Sequence, residues 1–140
     1  QRAKEIAEGK GLIGVNIMVA GNGYEELVKA SVEGGCDAII SGAGLPLDLP
    51  KYAKGKALLA PIVSSGKAAR LIAKVWEKRY QYTPDFVVIE GSKAGGHLGF
   101  KKEDLLAGTC QKLEDILEDV KKELAPFQEK FKKSMHRVPT

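Results

Sequence analysis

The chain has 140 residues, of which 44% are hydrophobic and 29% are charged, as in one globular domain with a core over residues 1–140. No apolar run approaches the roughly 20 residues that span a membrane, so we expect a soluble, cytoplasmic protein without a membrane partner. Basic residues exceed acidic ones by four, and the excess lies in a basic end at residues 130–140. Few aromatic residues interleave with it, so a nucleic-acid partner is not indicated.

The first third of the chain predicts a helix, a strand and a second helix. Residues 2–8 have apolar side chains at helical spacing, as in the tail of an amphipathic helix. The apolar run 12–19 predicts a strand buried on both faces, with Asn16 as its odd polar residue. Asn22 is a suitable N-cap for a helix that ends at Gly34 and Gly35. The chain opens with Gln1 and no secretory signal, so we expect a processed or truncated terminus.

The rest of the chain repeats this alternation. The predicted elements are strands at 38–44, 57–63 and 86–90 and helices at 67–80 and 113–126. Prolines within residues 45–50 argue against a long helix there. Strands that alternate with helices predict right-handed βαβ units and a parallel α/β sheet.

Polar or glycine residues stand where the predicted strands end, and in parallel α/β folds the active site lies at the carboxyl ends of the strands. These residues should therefore line one site. The chain has no G-x-G-x-x-G after a strand, no phosphate-binding G-x-x-x-x-G-K-[ST] and no G-x-S-x-G. Cys36 and Cys110 lie far apart without histidines at ligand spacing, so we expect reduced thiols and no metal site.

Residues 87–100 form the most informative segment, because an apolar run leads there into a glycine-rich loop that contains His97. Glycines let the backbone approach a ligand closely, at an entropic cost that folding alone does not favour. An imidazole at a strand end can transfer a proton to or from a bound substrate, or hydrogen-bond a cofactor. A capping or turn histidine is the structural alternative, and the flanking glycines favour the functional interpretation.

Three segments together resemble the nitronate monooxygenase family, formerly called 2-nitropropane dioxygenases. They are G-V-N-I-M at 14–18, I-S-G-A-G at 40–44 and E-G-S-K-A-G-G-H-L-G at 90–99, in matching order and spacing. The similarity runs from about Gly11 to about Phe100, and residues 101–140 match only as a helix. The A-G-G-H loop after V-x-E-G is the family's most recognisable element.

The resemblance implies a (β/α)₈ barrel that carries FMN and oxidises alkyl nitronates with dioxygen. His97 would be the catalytic histidine beside the flavin. The implied cofactor-binding residues are Asn16, Ser41, Gly42, Ser64, Glu90, Gly95 and Gly96.

Several of these residues have a structural alternative. Asn16 could be a core amide that a neighbouring strand satisfies, although an amide buried on both faces favours a ligand. Ser64 and Ser65 could cap the following helix as readily as contact a phosphate or the flavin. Glu90 could form a salt bridge instead of a cofactor contact.

A complete (β/α)₈ barrel needs about 250 residues, so four strands in 140 residues predict a partial barrel with about four of eight strands. By comparison with the family, the chain begins before the third strand and stops where the seventh would begin. The late loops that commonly form the phosphate site would then be missing. We therefore expect this chain alone to bind FMN weakly or not at all and to be inactive on nitronate.

Two other functions remain open from the sequence. A flavin-type enoyl-acyl-carrier-protein reductase has similar G-V-N-I-M and A-G-G-H patterns, although the segment 42–50 looks more like the monooxygenases. A non-catalytic half barrel could instead self-associate through its open edges, and in either case a homo-oligomer is expected.

Overall fold

The computed structural model describes residues 1–96 and 99–131, in which four strands alternate with helices. The strands are β1 (Gly14–Met18), β2 (Ala38–Gly42), β3 (Leu58–Val63) and β4 (Val88–Ile89). The helices are α1 (Arg2–Ala7), α2 (Tyr24–Glu33), α3 (Leu49–Ala53), α4 (Gly66–Tyr80), α5 (Lys102–Ala107) and α6 (Leu113–Lys130).

The four strands form one parallel sheet in the order β1-β2-β3-β4. In the register, Asn16 lies opposite Ile40 and Ile62 lies opposite Val88. Because each strand joins the next through at least one helix, the sheet consists of successive βαβ units. The predicted fold class is confirmed, and the architecture is consistent with part of a (β/α)₈ barrel.

One face of this sheet, the helix face, consists of the odd-numbered strand residues. Successive strand residues point to opposite faces, and the odd-numbered set packs on the helices. Its buried members are Ile17, Ile39, Leu59 and Val63, which belong to one core cluster with Val28, Ile72, Trp76 and Ile116. The helix face therefore carries the hydrophobic core.

The even-numbered strand residues form the opposite, open face. Within the described part of the chain, none of them belongs to the core cluster, although the small side chains of Ala38 and Ala60 are buried. Met18 is 52% exposed and Leu58 is 40% exposed, and Asn16 is also exposed. The prediction that the first strand is buried on both faces is therefore wrong, because helices cover only one face of the sheet.

Two aspartates join neighbouring strands at their amino ends. Asp37 accepts the Ile13 N–H through Oδ2 at 2.8 Å, and its own N–H donates to the Ile13 carbonyl at 2.8 Å. Asp85 makes the same reciprocal pair with Leu59, at 2.8 and 3.0 Å. Each aspartate thus holds the strand that follows it against the start of an adjacent strand.

Two helix ends and one whole helix differ from the sequence predictions. α2 has Gly23 rather than Asn22 as its N-cap, with φ 72° and no side-chain cap. α6 continues through Pro126 to Lys130, because Phe127 beyond the proline packs into the core. α5 was not predicted, since its six residues include no buried one and show no apolar stripe.

Among the described residues, no helix combines the length and the apolar character that a membrane span needs.

α4 and α6 run side by side with a constant offset of 53 residues between partners. The Gly66 N–H donates to Asp119, Arg70 pairs with Glu123 and Lys130 pairs with Glu77. Equal offsets along two helices mean that they are parallel and in register, as expected when each follows a parallel strand.

Candidate active site

The carboxyl ends of β3 and β4 bring two predicted site residues together. Val63 lies opposite Ile89, so the next residues, Ser64 and Glu90, are also neighbours. The Glu90 N–H donates to the Val63 carbonyl at 2.9 Å, which continues the ladder beyond the strands. Because side chains alternate, Ser64 and Glu90 belong to the even-numbered series of the open face.

Asn16 lies on the same open face but on β1, three strand spacings or about 14 Å across the sheet from β4. Its side chain is exposed, and among the described residues its amide has no recorded hydrogen bond. The cost of a buried amide therefore does not explain this asparagine. Asn16 could meet Ser64 and Glu90 only through an extended ligand.

Ser41 lies on the helix face, contrary to the expectation that its side chain faces the site. It is 0% exposed, donates to the Ile17 carbonyl at 2.8 Å and lies 2.9 Å from the Tyr24 hydroxyl. Since the Ser41 proton is used, Tyr24 is the donor in the second bond. Burial raises the pKa of Tyr24, which keeps this donor protonated. The Ser41 hydroxyl is thus part of the core.

Gly42 lies on the open face, beneath the side chain of Ile62. A Cβ at position 42 would lie 2.8 Å from both Cβ and Cδ1 of Ile62, closer than side-chain atoms approach. The glycine therefore has a packing role on this face, whether or not a cofactor contacts it.

The glycine-rich loop is open at one end and packed at the other. Gly95 and Gly96 are exposed, and a Cβ on either would meet no atom within 4 Å. Gly96 has φ +82°, a conformation that favours glycine. At Gly99 a Cβ would lie 2.6 Å from Ser64 Oγ, so the loop returns to the end of β3. His97, the predicted catalytic residue, lies outside the described residues.

Of the two serines that follow β3, Ser65 is the helix cap. Its Oγ accepts the Ala68 N–H at 3.2 Å, while Ser64 remains at the strand end. Asp119 of α6 accepts the Gly66 N–H at 3.1 Å and joins the same turn. Sequence reasoning missed Asp119, since nothing local marks a contact between residues 53 positions apart.

Glu90 is the acidic residue of this edge. It is half-buried, and no ion pair or side-chain hydrogen bond of Glu90 is recorded within residues 1–96 and 99–131. The predicted salt-bridge alternative thus has no described partner. The same residues contain no group of three or more His, Cys, Asp or Glu that could hold a metal ion.

Two clefts of the described residues lie away from this site. One cleft lies at the far end of α4, between Lys54, Arg79 and Tyr80. A second lies between α1, β1 and α2, around Val15 and Leu27. Neither cleft reaches the carboxyl ends of β3 and β4.

Two solved structures of FabK from Thermotoga maritima, one of them a mutant, have a similar fold. The TM-scores are 0.63 for the mutant and 0.62 for the other structure, each at 23% sequence identity over 87% of this chain. This chain covers 37% and 35% of theirs, so it spans about a third of their length. A search of curated proteins finds no match.

The sequence model of the family described as Nitronate monooxygenase matches residues 2–126. The match includes all four strands and extends on both sides beyond the Gly11–Phe100 similarity recognised in the sequence. Members of this family are flavin-dependent oxidoreductases. The chain belongs to the nitronate monooxygenase family.

Proposed function

We propose that this chain forms one wall of an FMN site in an oxidoreductase that oxidises alkyl nitronates with dioxygen. The observation that carries the proposal is the open face itself. Within the family match of residues 2–126, it presents the half-buried Ser64 and Glu90 beside the glycine-rich loop and the exposed Asn16 on β1. The substrate, the oxidant and the choice of FMN follow from the resemblance.

Three polar residues of the open face fit the polar part of a flavin. An isoalloxazine ring and ribityl chain need both hydrogen-bond donors and acceptors, and Asn16, Ser64 and Glu90 offer an amide, a hydroxyl and a carboxylate. Asn16 and Glu90 have no recorded side-chain partner among the described residues. The space around Gly95 and Gly96 allows a planar ring to approach the backbone.

When bound, FMN would supply the electron-transfer chemistry, and the chain's own residues would hold and orient the reactants. In this proposal the Asn16 amide on β1 and the Ser64 hydroxyl at the end of β3 orient the cofactor from two strands of the open face. Glu90 accepts hydrogen bonds at the edge, and the exposed backbone at Gly95 and Gly96 lies against the cofactor. His97 is proposed to hold or transfer a proton at its imidazole.

The amino end of α4, which begins beside Ser64, has two of its first three N–H groups already occupied. The amino end of a helix is a natural phosphate site, but at α4 the Gly66 and Ala68 N–H groups already donate to Asp119 and Ser65. Because the resemblance places the phosphate site in later loops of the barrel, we propose that the phosphate needs residues beyond this wall and that the chain alone binds FMN weakly.

A flavin titration followed by two activity assays tests the proposal. The purified chain is scanned from the near ultraviolet to the blue and titrated with FMN, by fluorescence quenching. Loaded protein is then supplied with an alkyl nitronate while dioxygen consumption is recorded. We expect weak FMN binding. If the loaded chain has any turnover, we expect it with the nitronate only. No FMN binding at any concentration would contradict the proposal that this chain forms a wall of a flavin site. Reduction of an enoyl thioester with NAD(P)H would show that the substrate is an enoyl thioester and not a nitronate.

Self-association is a second candidate property, which the exposed apolar residues of the open face favour. Met18 and Leu58 on this face are large and exposed, and such surfaces commonly mark interfaces. We propose a homo-oligomer that covers them, with or without catalytic activity. Sedimentation velocity at several protein concentrations tests this, and a monomer at all of them would contradict it.

A further inference from the structure

The turn between β3 and α4 carries Ser64 and is held from outside by α6. The first N–H groups of a helix lack intrahelical partners, and a carboxylate is favourable there. At α4 this carboxylate belongs to Asp119, whose Oδ2 accepts the Gly66 N–H at 3.1 Å. A residue distant in sequence therefore stabilises the turn at the end of β3.

Gly66 permits this contact because it has no side chain. A Cβ at position 66 would lie 2.4 Å from Oδ2 and 2.5 Å from Cγ of Asp119. Gly66 is not among the residues with positive φ, so its backbone conformation does not require glycine. The residue type at position 66 is explained by the approach of the carboxylate.

The same turn contacts the glycine-rich loop. A Cβ at Gly99 would lie 2.6 Å from Oγ and 3.0 Å from Cβ of Ser64, so the loop and the turn are in close contact. A continuous series of contacts thus runs from Asp119 through Gly66 and Ser64 to Gly99. Asp119 and Gly99 therefore approach the same turn, one at Gly66 and the other at Ser64.

We propose that Asp119 is a positioning residue whose carboxylate holds the β3–α4 turn in the arrangement that flavin binding requires. It acts through Gly66 on Ser64 and the glycine loop, without touching the cofactor itself. This inference rests on the proposed function, because it takes Ser64 and the loop to face the flavin.

Glu123 offers a matched control on the same helix. It lies one turn after Asp119 and pairs with Arg70 of α4 at 3.4 Å, so Glu123→Ala also removes an acidic contact between α6 and α4. It makes no recorded contact with the turn. A general weakening of the helix pair would appear in both variants, whereas a positioning role appears only in Asp119→Ala.

The first measurement is amide hydrogen exchange in the intact chain without flavin, together with its global unfolding midpoint. Asp119→Ala should speed exchange at residues 64–68 and 91–96 by roughly tenfold, as for loss of a charge-assisted hydrogen bond. Asp119→Asn keeps an oxygen acceptor and should restore most of the protection. Gly66→Ala displaces the carboxylate and should reproduce the local loss. Equal changes in Asp119→Ala and Glu123→Ala, or no local change in Asp119→Ala, would overturn the proposal.

The second measurement is FMN titration of the same variants. Asp119→Ala should raise the FMN dissociation constant by roughly tenfold, while Glu123→Ala leaves it unchanged. If the parent chain binds no FMN, the proposed flavin wall fails, and the exchange data still decide whether Asp119 holds the turn. If the parent binds FMN and both variants bind it equally well, the positioning role is refuted.

Discussion

The two faces of the sheet differ in what their side chains do, although the same four strands supply both. On the helix face, Ile39 and Leu59 are fully buried and even the polar Ser41 has its hydroxyl bonded within the core. On the open face, Asn16 is exposed and Gly42 accommodates its neighbour Ile62. Loss of a large side chain should therefore cost more stability at odd-numbered strand positions, whereas ligand binding should depend on polar groups at even-numbered ones.

Leu58 and Leu59 give the sharpest test, since they are adjacent leucines on opposite faces. Leu59 is 0% exposed and Leu58 is 40% exposed. Leu59→Ala should lower the free energy of unfolding by about 2–5 kcal/mol, as for buried leucines. Leu58→Ala should cost less than about 1 kcal/mol. Urea unfolding measures both, and equal losses would show that the open face is covered in solution.

Gly42→Ala should have the next largest effect. The new methyl group would overlap Ile62, where the Cβ separation is 2.8 Å, and overpacking of this kind costs about 1–3 kcal/mol. Gly14→Ala is the matched control on the same face, because its Cβ would meet Ala38 at an ordinary 3.7 Å. Thermal and urea unfolding should separate the two variants. Equal stability of Gly42→Ala and Gly14→Ala would mean that Ile62 moves freely.

Ser41→Ala should mainly lower stability, whereas Asn16→Leu should mainly weaken FMN binding. Ser41→Ala leaves the Ile17 carbonyl and the Tyr24 hydroxyl without this partner and should lower the free energy of unfolding by about 1–3 kcal/mol. FMN affinity should be nearly unchanged. Asn16→Leu, at an exposed position, should change stability by less than about 0.5 kcal/mol but weaken FMN binding. Unfolding and FMN titrations of both variants test this, and a loss of FMN affinity in Ser41→Ala alone would reverse the assignment.

Asp37 should give the smallest effect, visible only as a dependence on pH. The Ile13 N–H first, and then Lys4, lower the pKa of the Asp37 carboxyl. A lowered folded-state pKa means that the carboxylate stabilises the fold above its unfolded pKa and loses this contribution as pH falls through the folded value. The urea midpoints of the parent and Asp37→Asn should therefore converge as the pH is lowered below about 3.9. A constant difference across that range would contradict it.

The sheet was predicted well from the sequence, because the length of each apolar run and the residues that end it both indicate a strand. Apolar runs ending in glycine or serine identified all four strands, and the family motifs supported their parallel arrangement. The assignment of faces was harder. Ser41 and Gly42 are adjacent, and only the observed register shows that the serine lies on the helix face.

Contacts between distant residues were beyond sequence reasoning. Asp119 looks like any acidic residue of an amphipathic helix, and its partner Gly66 looks like part of a serine-glycine turn. Asp37 and Asp85 do leave a signal, because each stands immediately before an apolar run, but one sequence does not reveal the N–H groups that they accept. Which backbone N–H each aspartate accepts is known only from the structure.

The constant offset between α4 and α6 has a consequence for how the chain tolerates insertions and deletions. An added residue in the segment 81–87 leaves both helices intact. One added between Asp119 and Glu123 would turn every later side chain of α6 by about 100° and move Lys130 away from Glu77. Aligned relatives should therefore place their gaps between the two helices, and α6 should keep its length from Asp119 onward.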